Sequence, residues 1–366
     1  MSTKKIKKNK QSFFMQLALM NANRNIGSTN ENPSVGCVVV KNNCVISSSC
    51  TNVGGRPHAE YIALNNSKKT TKSDLYVTLE PCSHYGKTSP CVNEIIKKKI
   101  KNVYYSVSDP DKRSFNKCKE ILKRENIKVN RGLLHSEVKD FYQSYFNYQN
   151  NKLPFVTAKL AVSKDFFSAK RNNKWITNKY SRSRVHLIRS KHDCILSSSK
   201  TVLIDNSNLT CRINGLENKS PVRIILDKNL NIRFDSNIIK STNKYSLIIF
   251  YNKNNISKLK KLKKLKIKLF KLDLNKEKQF DLHMVLKKIK SLGFSRILLE
   301  SGLNLMTLFL KKKLVNNFEL FISNKIVGSA GHNNFKDTMN TYLKGKVNKL
   351  NRVNLFGDKF LSYKIK

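Results

Sequence analysis

Acidic residues are scarce in this chain: its 366 residues hold 24 Asp and Glu against 71 Lys and Arg, a formal charge of +47. Cysteine is sparse as well, at 8, and shows no paired framework, so a disulfide-stapled secreted scaffold is excluded. Cys44 and Cys50 could in principle bridge, but a reduced, cytoplasmic setting is the simpler expectation. No stretch approaches the ~18 apolar residues a membrane span needs, so no membrane partner is expected. The basic run Lys4–Lys10 ahead of apolar Phe13–Met20 imitates a secretory signal, yet Gln16 interrupts it and no small-x-small cleavage site follows. Phe13, Leu17 and Met20 recur at helical spacing instead, which predicts a basic tail over residues 1–11 and then a helix.

The positive charge admits two readings. A polyanion-binding protein gathers its cations on one face or element. Here Lys and Asn are spread through loops, helix faces and both ends, as an AT-rich genome would write them. No specific nucleic-acid partner is therefore expected, although non-specific binding at low salt is.

The chemistry is concentrated in three short motifs. His58-Ala59-Glu60, Pro81-Cys82 and Pro90-Cys91 supply one imidazole, two thiols and a spare carboxylate. Three such ligands leave the fourth tetrahedral position of a zinc ion open to water. Glu60 lies too near His58 to be an obvious fourth ligand. It suits a proton shuttle between water and a departing amine. Each fragment alone is weak, because His-x-Glu arises by chance in a chain with 7 His and two Cys can be small buried hydrophobes. Context favours the metal. Val35–Val40 reads as a buried strand before the His, and Leu75–Leu79 as a second strand running into Glu80-Pro81-Cys82. Positions i and i+2 lie about 200° apart within a regular helix, so His58 and Glu60 can cooperate only at a helix entry, after Gly54-Gly55-Arg56-Pro57. Pro81 suits a first helical turn, which predicts a helix at Cys82 whose N-terminus lowers that thiol's pKa.

Periodicity divides the chain in two. Residues 12–147 alternate strands (Asn102–Val107, Ile127–Val129) with a helix near Lys117–Arg124, predicting a three-layer α/β/α sandwich. Asn147–Lys152 is polar and reads as a linker. Residues 153–366 follow, with strands at Phe155–Val162, Asp193–Leu196, Val222–Asp227, Ser246–Phe250 and Ile297–Glu300, and a helix near Ser181–Ser190. In the lysine-rich stretch from Lys258 to Leu274 the leucine period switches from helical to alternating, so an amphipathic helix feeding a strand is expected. Ile297–Gly302 followed by Leu303–Leu308 reads as strand, tight glycine turn and helix, a site for phosphate at the helix N-terminus. It lacks the G-x-G-x-x-G fingerprint.

Asn32-Pro33-Ser34-Val35-Gly36-Cys37, His58-Ala59-Glu60 and the unbroken run from Thr78 to Cys91 resemble the deaminase half of the bifunctional RibD family of riboflavin biosynthesis. The general cytidine deaminase pattern is P-C-x-x-C. The eight residues between Cys82 and Cys91, with Ser-His-x-Gly-x-Thr inside, are more specific and argue against a cytidine or tRNA adenosine deaminase. Trp175-Ile176-Thr177, Arg189, Ser197–Asn206 and Leu209–Arg212 resemble the family's reductase half, similar in fold to dihydrofolate reductase and dependent on NADPH.

The resemblance implies two reactions on a phosphorylated pyrimidine. The C2 amine of 2,5-diamino-6-ribosylamino-4(3H)-pyrimidinone 5′-phosphate is hydrolysed, and hydride from NADPH then opens the ribosyl group to ribityl. It also implies a homo-oligomer. Carried over by position, His58, Cys82 and Cys91 hold zinc and Glu60 moves the proton. Asn32, Lys87, Arg189, Leu209, Arg212 and Glu300 match substrate positions, with Arg189 and Arg212 able to fork onto a sugar phosphate. Ala161, Trp175, Thr201, Asp205 and the segment Gly302, Leu303, Asn304, Leu305, Met306, Thr307, Leu308 match the NADPH side.

Departures fall mainly in the second half. Phe166 replaces a glycine after Ser163-Lys164-Asp165, Asn173 a serine, and Lys228 a hydroxyl residue, while Asp111-Lys112-Arg113-Ser114 replaces an asparagine-proline and glycine pair. They leave open a second reading, a deaminase with a non-catalytic reductase domain. A third, a nucleic-acid deaminase exploiting the charge, is opposed by the long Cys spacer and by the second domain.

Overall fold

The computed structural model describes residues 3–170 and 175–366, and its two compact units divide between Lys152 and Leu153. The first unit runs α1 (Thr3–Ala22), β1 (Gly36–Lys41), β2 (Cys44–Cys50), α2 (Ala59–Asn65), β3 (Asp74–Leu79), α3 (Cys91–Lys97), β4 (Asn102–Val107), α4 (Cys118–Arg124), β5 (Lys128–Arg131), α5 (His135–Phe141) and α6 (Gln143–Gln149). Its strands form one sheet in the order β2-β1-β3-β4-β5, with β1 antiparallel to both neighbours and β3, β4 and β5 parallel.

Alternation along these strands feeds two cores. Cys37, Val39, Leu75 and Val77 pack with Ala59 and Ala63 of α2 and with Val92 and Ile95 of α3. Val38, Val40, Tyr76 and Tyr104 pack with Phe14, Met15 and Ala18 of α1. The result is the expected three-layer α/β/α sandwich. α1 approaches β1 so closely that a Cβ on Gly36 would lie 1.8 Å from the Ala18 carbonyl oxygen. The helix starts at Thr3, inside the segment read as a basic tail, and α6 extends to Gln149, inside the segment read as a linker.

The second unit runs β6 (Phe155–Val162), β7 (Phe167–Lys170), α7 (Lys179–Arg189), β8 (Cys194–Ser198), α8 (Ser199–Asp205), β9 (Val222–Leu226), α9 (Asn237–Lys240), β10 (Leu247–Tyr251), α10 (Ile256–Lys264), β11 (Lys268–Lys271), α11 (Leu282–Ser291), β12 (Arg296–Leu299), α12 (Leu303–Lys311), β13 (Asn317–Ile322), β14 (Gly331–Asn334), α13 (Lys336–Tyr342), β15 (Val347–Leu350) and β16 (Lys359–Lys364). The large sheet has the order β11-β10-β9-β8-β12-β6-β13-β16-β15. It is parallel from β11 to β13, and β16 is antiparallel to both its neighbours. Nearly all-apolar strands such as β9 and β10 are what a parallel sheet covered on both faces needs. α11 and α12 cover one face through Val285, Leu286, Met306 and Phe309, and α8, α9 and α10 the other through Val202, Ile238 and Leu262. The lysine-rich stretch forms α10 and then β11 as its period switch predicts, and exposed Lys268 and Lys271 on that edge strand discourage pairing with other chains.

Between β6 and β7, Phe166 adopts φ +68°, a left-handed conformation that favours glycine. A side chain there costs about 1 kcal/mol, offset by the packing of its ring against the main core of this unit. Asn173 lies outside the described residues. Lys228 is half-buried and donates from Nζ to the Lys278 carbonyl.

Candidate active sites

The metal-ligand set assembles at the ends of two elements. His58 is the N-cap of α2 in an extended conformation, so Glu60 falls in the first helical turn, as the i, i+2 spacing requires. The helix expected at Pro81 is absent. Residues 80–90 are irregular, and the helix begins at Cys91 with Pro90 as its N-cap. Glu80 explains why: its buried carboxylate accepts the backbone N–H groups of Asp109, Asn116 and Cys118, which holds the chain leaving β3 to the next loop. Cys82 therefore reaches a helix N-terminus as a partner. The Cys91 N–H donates to its sulfur at 3.3 Å and the Val92 N–H to its carbonyl.

His58 Nδ1 stands 3.6 Å from Cys82 Sγ and 3.4 Å from Cys91 Sγ, and all three ligand atoms lie within 4.8 Å of one another. Zinc bonds of about 2.3 Å to sulfur and about 2.0 Å to nitrogen at tetrahedral angles separate N from S by about 3.5 Å, so both N–S distances suit a shared zinc ion. The Cys82 thiol is held down to about 4, first by the Cys91 hydrogen bond and also by His58. The same contact, then burial, pushes the Cys91 thiol up. Glu60 is 3% exposed, and its Oε2 is buried with no hydrogen-bond partner. Burial pushes its carboxyl up to about 7 against the pull of His58. An orphaned carboxylate oxygen beside three metal ligands is what a proton carrier between water and substrate needs.

Asn32 is tied by Nδ2 to the Gly55 carbonyl at 3.1 Å, on the turn that leads into His58. Lys87 is exposed at mid-spacer between the two Cys. Arg56, given no role from sequence, donates to Thr88 Oγ1 at 2.5 Å and so ties that spacer to the residue before Pro57.

In the second unit, polar side chains converge beyond the carboxyl ends of β8 and β12 and along β6, where open α/β sheets bind ligands. Glu300 follows β12. It accepts from Arg189 Nη2 at 2.7 Å and Nε at 3.0 Å, and from Lys159 Nζ at 3.5 Å. Burial pushes the Glu300 carboxyl up, but Arg189 and then Lys159 pull it down to about 2. For Lys159 the balance is reversed: burial outweighs Glu300 and draws the ammonium below its usual range. Arg189 also donates from Nη1 to the Thr210 carbonyl at 3.0 Å, and Arg212 from Nη1 to Thr210 Oγ1 at 3.5 Å. The fork that the sequence assigned to a sugar phosphate is, for Arg189, closed on Glu300. Arg212 is the exposed guanidinium of the pair. Leu209 is buried at φ +54° beside them.

Of the positions matched to the cofactor, Thr201 and Gly302 meet directly, the Gly302 N–H donating to Thr201 Oγ1 at 2.9 Å. Gly302 caps α12 with φ −63°, so the short turn between β12 and α12 needs no left-handed glycine. Met306 is fully buried, and Leu303, Leu305 and Leu308 pack on the core. Asn304 is exposed, and Thr307 Oγ1 is bonded to Thr338 Oγ1 at 3.4 Å. This segment therefore offers a ligand its backbone N–H groups more than its side chains. Asp205 ends α8, Ala161 lies near the end of β6, and Trp175 is half exposed under the Arg182 guanidinium, 4.7 Å from its ring centroid. Sequence reasoning missed Lys159, though a lysine inside the apolar strand Phe155–Val162 was a usable signal.

Comparison with known proteins finds matches for both units. Residues 8–107 match the cytidine and deoxycytidylate deaminase zinc-binding region, and residues 154–358 match the RibD C-terminal domain. The riboflavin biosynthesis protein RibD of Aquifex aeolicus is 34% identical over 320 residues, covering 87% of this chain and 88% of that one. The RibD of Chlamydia muridarum is 30% identical over 353 residues, covering 95% and 94%. Among solved structures, a Thermotoga maritima diaminohydroxyphosphoribosylaminopyrimidine deaminase/5-amino-6-(5-phosphoribosylamino)uracil reductase superposes with a TM-score of 0.83 at 28% identity, over 98% of this chain and 99% of that one. Acinetobacter baumannii RibD gives 0.84 at 25% identity, with the same coverage. With a zinc-binding deaminase region, an NADPH-dependent reductase domain and relatives that match along both, this chain belongs to the RibD family.

Proposed function

We propose that this chain performs two successive steps of riboflavin synthesis. The first unit hydrolyses the C2 amine of 2,5-diamino-6-ribosylamino-4(3H)-pyrimidinone 5′-phosphate. The second reduces the ribosyl side chain to ribityl, giving 5-amino-6-ribitylaminouracil 5′-phosphate. The observation that carries the reading is the zinc-fitting triad of His58, Cys82 and Cys91 with the unpartnered Glu60 oxygen beside it.

Zinc held by the triad supplies Lewis acidity that makes water nucleophilic near neutral pH. Glu60 takes the water proton at Oε2 and returns it to the departing amine, so ammonia leaves without a free hydroxide or an amide anion. Asn32 faces the pyrimidine, and Lys87 supplies a point charge to the phosphate.

NADPH supplies the hydride for the second step. Its phosphates suit the N-terminus of α12, with Thr201, Asp205, Ala161 and Trp175 along the same edge. Lys159 gives up a proton more readily than a solvated lysine and stands beside Glu300, so it suits the donor to the ribose ring oxygen as the ring opens. Glu300, fixed by Arg189, orients substrate hydroxyls. Arg212, the exposed guanidinium of the pair, takes the phosphate. The intact Lys159–Glu300–Arg189 cluster favours a working reductase over a degenerate one.

The positive charge is read as compositional, with no nucleic-acid substrate. A homo-oligomer in the cytoplasm is the proposed state, checked by light scattering. The central test incubates purified protein with the diaminopyrimidine phosphate, with and without NADPH, and reads products by mass. The deaminated ribosyl product should form without NADPH and the ribityl product only with it. No mass change in either tube refutes the assignment.

A further inference from the structure

The segment Asn32–Gly36 enters β1 from the deaminase site, and its back is held by a buried chain of hydroxyls. The Gly36 N–H donates to Thr78 Oγ1 at 3.0 Å, Thr78 and Tyr142 share a hydroxyl–hydroxyl bond of 2.6 Å, and the Tyr142 hydroxyl bonds the Ser34 carbonyl at 3.1 Å. The proton order is fixed. A carbonyl only accepts, so Tyr142 donates to Ser34 and must receive the Thr78 proton. Thr78 is 0% and Tyr142 2% exposed, which leaves no route for water to replace either.

Three residues on, the Tyr145 hydroxyl donates to Asp109 Oδ1 at 2.8 Å. Asp109 opens the loop that Glu80 holds. In that loop Ser114 is fully buried, and its hydroxyl accepts the Ser83 N–H at 3.3 Å and meets His84 Nδ1 at 2.8 Å, next to Cys82. One helical turn after the end of α5 therefore bonds both the segment that enters β1 and the loop whose Ser114 holds Ser83 and His84.

We propose that Tyr142 and Tyr145 are positioning residues for deamination. Tyr142 sets the height of the Asn32–Gly36 segment against β3, and Tyr145 sets the loop behind Ser83 and His84. Neither touches substrate. Their effect is on how well the pocket is formed before substrate arrives. The inference rests on Asn32 facing the pyrimidine.

The test measures deamination by the full-length zinc enzyme carrying Tyr142→Phe, Tyr145→Phe, Thr78→Val or Asn32→Ala. Zinc per chain is measured on each, and NADPH-dependent reduction by the second unit serves as control. Tyr142→Phe should raise KM about tenfold with kcat within about threefold, zinc stoichiometry unchanged and reduction unaffected. Combining it with Thr78→Val should add nothing, because both break one chain. Wild-type KM in both tyrosine variants overturns the inference, as does loss of zinc from either. Should Tyr142→Phe fail to fold, Tyr145→Phe decides alone, since its hydroxyl serves a separate loop. Asn32→Ala separates the two readings: an unchanged KM there refutes the Asn32 placement, while a raised KM there with normal tyrosine variants refutes the positioning role.

Discussion

Replacing Glu300 by Gln removes the anion from a buried cluster that keeps the cations of Arg189 and Lys159. The expected loss follows from the carboxyl itself. Its folded-state pKa is drawn down to about 2, well below the 4.5 of the free group, by Arg189 and then Lys159 against the opposing effect of burial. At 1.36 kcal/mol per unit the ionised form contributes about 3 kcal/mol above pH 5. The sign is that of a depressed acid. The contribution is complete above the unfolded value and fades as pH falls towards 2, to less than half at pH 3. Trp175, the one tryptophan in the chain, lies in this unit, so its fluorescence follows urea unfolding here. Glu300→Gln should lower the unfolding free energy by about 3 kcal/mol at pH 7 and by less than half that at pH 3, while deamination continues and NADPH oxidation stops. An equal loss at both pH values, or a loss under 1 kcal/mol at pH 7, would refute the account of how this cluster is held.

Glu60→Gln should keep one zinc per chain and lose deamination by a factor of about 10² to 10⁴, read by elemental analysis and product mass, because it removes a proton carrier and no ligand. Loss of the metal from that variant would show the role is misassigned. Gly36→Ala drives a methyl into the Ala18 carbonyl, so it should lower the melting transition of the first unit by circular dichroism, at a cost of at least about 2 kcal/mol. A melting curve unchanged from wild type would contradict the close approach of α1. His192 is buried, and burial first and Arg296 next draw its pKa down to about 3. Here the unfolded state binds the extra proton, so stability should fall as pH drops below 6.5, by about 4 kcal/mol at pH 3. His192→Leu should flatten that dependence in the Trp175 signal, and an unaltered acid limb would rule it out.

The deaminase site was legible because its chemistry is local. His58 and Glu60 sit across one helix entry, both thiols follow prolines, and apolar runs on either side mark the strands that carry them. What escaped was held by groups distant in sequence. Pro81 has the look of a helix start, but the side chain just before it is spent on three N–H groups around residues 109–118, and the helix waits until Pro90. Arg189 reads as a phosphate fork until β12 brings Glu300 alongside it. Lys159 and Tyr142 carry no motif at all, and their partners are known only once strands and helices are placed. Phe166 shows the converse. The chain departs from the family's glycine, yet Phe166 still sits in the left-handed region that glycine favours, in a turn where Asp165 next to it accepts N–H groups from Val327 and Gly328.

The spacer between Cys82 and Cys91 is irregular along its length and anchored at each end by a thiol that faces His58. A cation gripping both sulfurs would therefore act as a clasp on the very ribbon that carries Lys87. Stripping it with a chelator should slacken that ribbon together with the chemistry, so substrate capture and turnover would fail at the same moment.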